Sequence, residues 1–176
     1  MLTQSLILDD RTSNTLLANN RCVWRAVSDS VMGGVSHAAL TPAQVEGKNC
    51  LHLSGVVSLE RNGGFLQASI DLSTNGILDA SNYLGISFEV YGNNEIYNLH
   101  LRTSDTTLVW QSYRASFFAP SNWEKISIPF EEFAPHRLHS PLNIRQLKRL
   151  GIVAIGRPMS ANLYFRNVVF LNKKLT

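Results

Sequence analysis

The chain has 176 residues, 44% hydrophobic and 16% charged, with a formal net charge of +3. That length suits one domain with a sizeable core. The apolar residues are too dispersed for a membrane-crossing helix, which needs about 20 apolar residues in a row, and two cysteines cannot build a disulfide scaffold or a four-cysteine zinc site. The charge is uneven: all 13 acidic residues lie at or before Glu132, and Arg137, Arg145, Lys148, Arg149, Arg157, Arg166, Lys173 and Lys174 follow with no acid. The two segments therefore carry −5 and +8. This asymmetry points to an acidic partner, whether protein, anionic lipid or nucleic acid, unless the fold interleaves the segments and mixes the signs.

In chain order, the first ten residues lack the basic n-region and long apolar h-region of a secretory signal, so a soluble, cytoplasmic protein is expected. Ser5–Leu8 reads as a strand, Thr12–Ala18 as a weak helix candidate, and Arg21–Val27, Cys50–Ser58 and Phe65–Leu72 as further strands. Cys22 and Cys50 sit in these apolar stretches, where a buried free thiol is the expected state and a disulfide the other reading. Leu84, Ile86, Phe88 and Val90 alternate with Gly85, Ser87 and Glu89 on a half-buried strand. After Gly92-Asn93-Asn94 the alternation resumes from Ile96 to Thr103, so a hairpin is expected there. Leu108–Phe118, Trp123–Pro129, Leu150–Ile155 and Ala161–Leu171 complete about ten strands, separated by turn-forming residues. One short helix is expected after an Asn143 cap, with Gln146 at the reciprocal capping position, Ile144 and Leu147 on one face, Arg145, Lys148 and Arg149 on the other, and Gly151 at its end. With no repeat or linker, residues 1–176 form a single all-β domain, an antiparallel sandwich or jelly roll with one or two short helices.

Catalytic chemistry finds little support. Ser28, Ser30 and Ser36 surround Asp29 and His37, but none occupies a G-x-S-x-G elbow. His136 and His139 form an H-x-x-H pair with no third ligand at a characteristic spacing, so they read as solvated loop histidines and no metal is assigned. Gly33-Gly34 and Gly63-Gly64 lack the remainder of a phosphate-binding fingerprint and read as tight turns. Tyr97, Trp110, Tyr113 and Trp123, with His100 and Arg102, would form a stacking surface if they share an exposed sheet face. Parity places His100 and Arg102 opposite Leu99 and Leu101, away from the core.

Two segments are more specific. Trp24-Arg25-Ala26-Val27-Ser28-Asp29-Ser30-Val31-Met32-Gly33-Gly34-Val35-Ser36 resembles the W-x-x-V-x-D-x-V-M-G-G-x-S signature of the complex I intermediate-associated protein 30 family. Gly55 to Phe65, which includes Asn62, Gly63 and Gly64, is similar to that family's second block, G-x-V-S-L-E-N-N-G-G-F. Leu99-His100-Leu101-Arg102, Trp123 opening a strand that ends at Pro129-Phe130, and Phe133-Ala134-Pro135 also fit. Arg61 stands where asparagine is common, and His136-Arg137-Leu138 replaces the usual x-R-G.

The resemblance implies a galactose-binding-like jelly roll. It also implies a non-catalytic role, because mitochondrial members act as assembly factors for respiratory complex I. Without a long Arg-rich leader, the chain is expected to be a bacterial or mature-length member. Physically, Asp29 suits hydrogen bonding to backbone N–H groups of its turn, and Trp24 and Met32 suit plugging the sandwich edge.

Three functions follow as expectations. The first is a chaperone-like, protein-binding assembly factor for complex I or another membrane-associated complex, steered by its basic segment and docking peripherally on a membrane complex. The second is a carbohydrate-binding module using the aromatic strip, although the fold alone is a weak warrant for sugar binding. An enzyme or a nucleic-acid binder comes last, with neither a cofactor nor a nucleic acid expected.

Overall fold

The computed structural model describes residues 5–173, so Lys174 lies outside the described residues. Its twelve strands are β1 (Leu6–Asp9), β2 (Arg25–Ser28), β3 (His37–Val45), β4 (Lys48–Val57), β5 (Phe65–Asp71), β6 (Tyr83–Tyr91), β7 (Glu95–Thr103), β8 (Ser112–Ala119), β9 (Glu124–Pro129), β10 (Ala134–His136), β11 (Leu147–Ile155) and β12 (Met159–Asn172). They form two antiparallel six-stranded sheets. One runs β3-β4-β12-β6-β9, with β1 also paired to β12, and the other runs β10-β8-β7-β11-β5-β2. The period-two pattern explains the sandwich, since each strand turns one row of apolar residues inward. Ile86, Phe88 and Val90 of β6 and Tyr97, Leu99 and Leu101 of β7 are all fully buried. Phe88 meets Phe117 of β8 edge-to-face at 5.0 Å, locking one sheet onto the other.

The expected hairpin between β6 and β7 does not form. The two strands lie in different sheets, and Gly92-Asn93-Asn94 carries the chain across the sandwich. Pro120-Ser121-Asn122 makes the parallel crossing from β8 to β9. The two arches are tied by Gly92 N–H to the Pro120 carbonyl (2.7 Å) and Asn94 N–H to the Ala119 carbonyl (2.9 Å). A side chain at Gly92 would strike Ala119, with its Cβ only 2.4 Å from that of Ala119. The turn residues are therefore needed for close packing of two arches, and a hairpin would have put both apolar rows into one sheet.

The helical expectations are also corrected. Thr12–Ala18 is irregular, held by Arg11, whose guanidinium donates to the Thr15 carbonyl (2.7 Å) and the Leu17 carbonyl (3.1 Å). Asn143 does cap a turn, accepting from Arg145 N–H, but the turn is a single 3-10 segment, Ile144–Gln146. Gln146 bonds Ser104 instead of reaching back to the cap, and Gly151 lies within β11. Lys148 and Arg149 are thus strand residues. Two strands were not expected. β3, Ala-rich and carrying Pro42, survives because it is an edge strand where proline's missing N–H costs no ladder bond. β10 is only three residues long and takes His136 out of the expected loop.

The fold also mixes the two charge segments. Arg145 faces Asp79 at 3.9 Å, Arg149 bonds Asp71 at 3.0 Å, Arg166 bonds Glu89 at 2.9 Å, and Arg157 pairs with Glu95. Among the described residues, no uniformly basic C-terminal surface results. Cys22, half-buried, and Cys50, buried, are both free thiols.

Candidate functional site

The two signature loops meet at Asp29, which is fully buried. Its carboxylate accepts from Ser36 N–H (2.9 Å) and Phe65 N–H (3.1 Å), from the Gly64 N–H and from the Ser36 hydroxyl. Ser36 Oγ in turn accepts from Ser58 N–H at 2.9 Å. Burial alone pushes the Asp29 carboxyl up, but the bonds from Ser36, Gly64 and Phe65 together outweigh it and hold the group below the usual carboxylate range. The glycines are part of this staple. A Cβ on Gly34 would come 2.3 Å from one Asp29 oxygen, and a Cβ on Gly63 would come 2.6 Å from the other. Ser28 caps the 3-10 turn Asp29–Met32 by accepting from Ser30 N–H.

Asp29 therefore bonds Ser36 and backbone N–H groups rather than His37. Trp24 lies wholly in the core, edge-to-face with Phe165 at 5.0 Å, and its Nε1–H donates to Asp9 (2.7 Å). The side chains of Met32 and Asn62 lie outside what the structure describes.

The staple anchors the edge of an open groove of about 370 Å³ on the outer face of the β10-β8-β7-β11-β5-β2 sheet. Register sets its floor. Gly151 of β11 stands opposite His100 of β7, which stands opposite Arg114 of β8. One row along, Arg149 pairs with Arg102. Gln67 of β5 covers Gly151 so closely that a Cβ there would sit 2.3 Å from its Oε1. The rim is apolar and exposed, with Val31 at 72%, Val109 at 71% and Trp110 at 53% of full exposure.

Arg102 holds up one wall. Its guanidinium donates to the carbonyls of Leu108 and Val109 (3.1 Å each), Gln111 (2.9 Å) and Thr106 (2.9 Å), so it clamps the loop that presents Trp110. His100 is nearly buried, and its Nε2 has no hydrogen-bond partner among the described residues. Burial first, then the charges of Arg114 and His136, pushes the imidazole down to about 3, so it is neutral at physiological pH. Arg114 donates Nε–H to Ser112 (2.8 Å). No ion pair joins it to a carboxylate among the described residues.

Of the six residues expected on one stacking face, the structure brings together His100, Arg102 and Trp110 only. Tyr97 and Tyr113 are fully buried core residues, and the aromatic strip is corrected on that point. Their hydroxyls are satisfied in loops at the sandwich margin, Tyr97 donating to Asn93 (2.6 Å) and Tyr113 to the Ser140 carbonyl (2.8 Å). Trp123 belongs to the other sheet, edge-on to Tyr91 at 5.8 Å with Lys48 over its ring. Tyr91 and Tyr164 there stand at 89° to each other, which makes a ladder of rings and not a flat platform.

The basic trio separates too. Arg149 and Lys148 line a second hollow beside the groove, and Arg145 faces Asp79. Arg114, Gln67 and Val109 were missed as groove residues. Arg114 was within reach, because it alternates with the buried Tyr113 and Ala115 along β8.

The groove sits on a fold shared with known binding domains. The chain resembles the family 11 carbohydrate-binding module of the cellulosomal cellulase Lic26A-Cel5E of Clostridium thermocellum, with 16% identity, a TM-score of 0.75, and coverage of 98% of this chain and 96% of that one. It also resembles the family 30 module of the cellulosomal cellulase Cel9D-Cel44B of the same organism, with 12% identity, a TM-score of 0.69, and coverage of 98% and 99%. The family 11 module in complex with a β-1,3-1,4-mixed-linked tetrasaccharide matches at 16% identity and a TM-score of 0.73, over 98% of both chains. The architecture is thus that of a carbohydrate-binding-module jelly roll. A search of curated proteins returned no match. The sequence profile of Complex I intermediate-associated protein 30 matches residues 12–164, and the chain belongs to that family. No helix among the described residues is long and apolar enough to cross a membrane.

Proposed function

We propose that this chain is a non-catalytic, chaperone-like assembly factor that binds a protein subunit of respiratory complex I or of another membrane-associated complex. Family membership supports the assembly role. The observation that supports a location for it is the groove, whose exposed rim of Val31, Val109 and Trp110 stands over a floor that mixes Arg102, Arg114 and His100 with Val27, Val153 and Ile155. Exposed apolar residues clustered around a concavity suit a partner's side chains. Binding from the soluble side would place the domain peripherally at a membrane complex, in the cytoplasm.

Carbohydrate binding is the second reading, favoured by the half-exposed Trp110 ring in the groove. A sugar platform needs rings that share a face, and Trp110 is the only ring of the expected four at this site.

A tagged pull-down from the native organism, quantified by mass spectrometry, tests the choice. Subunits of a membrane complex are expected on the wild-type bait and are expected to fall at least fivefold on a folded Trp110→Ala bait. A bait that enriches no such subunit, but whose tryptophan fluorescence is quenched by mixed-linkage β-glucan oligosaccharides, would replace the assembly reading with the carbohydrate one.

A further inference from the structure

The groove carries a charge problem that its own residues leave unsolved. Arg102, Arg114 and Arg149 line it together with His100, and no Asp or Glu is among its lining residues. A second hollow of about 410 Å³ shares Arg102 and Arg149 and adds Lys148, again with no acid. Each arginine stands differently. Arg102 donates to four loop carbonyls, and Arg149 has Asp71 at 3.0 Å. Arg114 has only the Ser112 hydroxyl on its Nε–H, and burial together with the nearby Arg137 charge lowers its pKa. A guanidinium drawn partly out of water without a counter-ion is costly, and so is a buried imidazole nitrogen without a partner. Register puts these two groups directly opposite each other on neighbouring strands, beside Gly151, over which the Gln67 side chain lies.

We infer that this groove is a carboxylate-binding site, and that its occupant is an extended acidic segment of the partner protein, with one carboxylate seated on Arg114. The inference rests on the protein-binding reading and specifies its chemistry. A carboxylate accepts from the free edge of the Arg114 guanidinium, in the fork geometry that arginine favours. A second carboxylate two residues along an extended chain reaches the neighbouring row, where Arg149 and Arg102 stand. Intervening apolar side chains meet Val109 and Trp110. Arg102 and Arg114 are partly buried in the trough while Arg149 is exposed beside them, which suits a narrow strand-like ligand lying along it.

The probe is a capped decapeptide with glutamate at alternate positions among valine and serine, titrated against the full chain by tryptophan fluorescence. Its glutamine-for-glutamate counterpart is the control peptide. We expect binding that weakens at least tenfold with the glutamine peptide and at least tenfold with Arg114→Gln. Arg149→Gln, at an exposed groove position, is expected to fold with an unchanged melting temperature while binding at least fivefold more weakly. Arg157→Gln, outside the groove, should bind as wild type.

Equal binding of the glutamine peptide, or unchanged binding in both groove variants, would overturn the inference. So would groove-dependent binding to phosphatidylglycerol vesicles with no binding of the acidic peptide. The two levels separate in the pull-down: a client enriched equally by wild-type and Arg114→Gln baits overturns the carboxylate site and leaves the assembly reading standing. Acidic-peptide binding without any enriched subunit does the reverse.

Discussion

Asp29 shows how a conspicuous motif residue can be spent on architecture. Four donors converge on a carboxylate that is closed to solvent, and the glycines around it are small because the carboxylate needs their space. Asp29→Asn keeps the shape but turns an NH2 group toward N–H donors, so it should destabilise the fold by about 3 kcal/mol in urea denaturation. The same experiment across pH separates two groups. The Asp29 carboxyl is held below its ordinary value of 3.8, so its contribution is present above that pH and is lost as pH falls through the lower folded value. His100, at about 3 when folded and 6.5 otherwise, binds its proton more readily in the unfolded chain, so stability falls as pH drops from about 6.5 towards 3. Asp29→Asn should flatten only the most acidic limb, and His100→Leu only the limb between about 6.5 and 3. Identical slopes in the variants and the wild type would contradict both assignments.

Among the elements, the segment from Ser104 to Gln111 is held mainly by one side chain. Arg102 makes four hydrogen bonds to its carbonyls, and Gln111 closes the turn through its N–H to the Leu108 carbonyl (3.0 Å) and its side chain to Leu108 N–H (3.0 Å). Arg102→Gln should therefore speed amide exchange at Thr106 and Gln111 at least tenfold, shift the emission of Trp110, and cost about 2 kcal/mol of stability. Unchanged exchange there would show that the loop stands without its clamp. This dependence was not readable from the sequence, where Arg102 is simply an outward residue of an alternating strand. Alternation located most strands and oriented His100, because side-chain parity is a local property. It failed for Gly92-Asn93-Asn94 because a hairpin and an arch between sheets use the same turn residues, and only the distant partner, Ala119-Pro120, distinguishes them. The stacking face, by contrast, grouped Tyr97 and Tyr113 by their polar tips and against parity, which sets Tyr97 in the buried row of Leu99 and Leu101. Asn93 and the Ser140 carbonyl, in loops at the sandwich margin, satisfy those hydroxyls.

The whole molecule presents two faces of different character. One sheet carries the arginine-floored groove with its exposed apolar rim, and the other carries a ladder of tilted rings, Trp123, Tyr91 and Tyr164, braced by Lys48 and the Arg166–Glu89 pair. The charge division along the chain does not survive folding, since four of the later arginines pair with earlier acids. The proposed client site is accordingly a local arrangement in the groove rather than a basic end of the molecule. Val109 stands exposed on the groove rim and Val56 stands exposed on β4 of the other sheet. A photo-crosslinking amino acid placed at each position, in the native organism, tests the assignment of the client site most directly. Crosslinks from position 109 to a subunit of complex I or another membrane complex, with none from position 56, are the expected result. Crosslinks to such a subunit from position 56 alone would place the interface on the opposite sheet and contradict it.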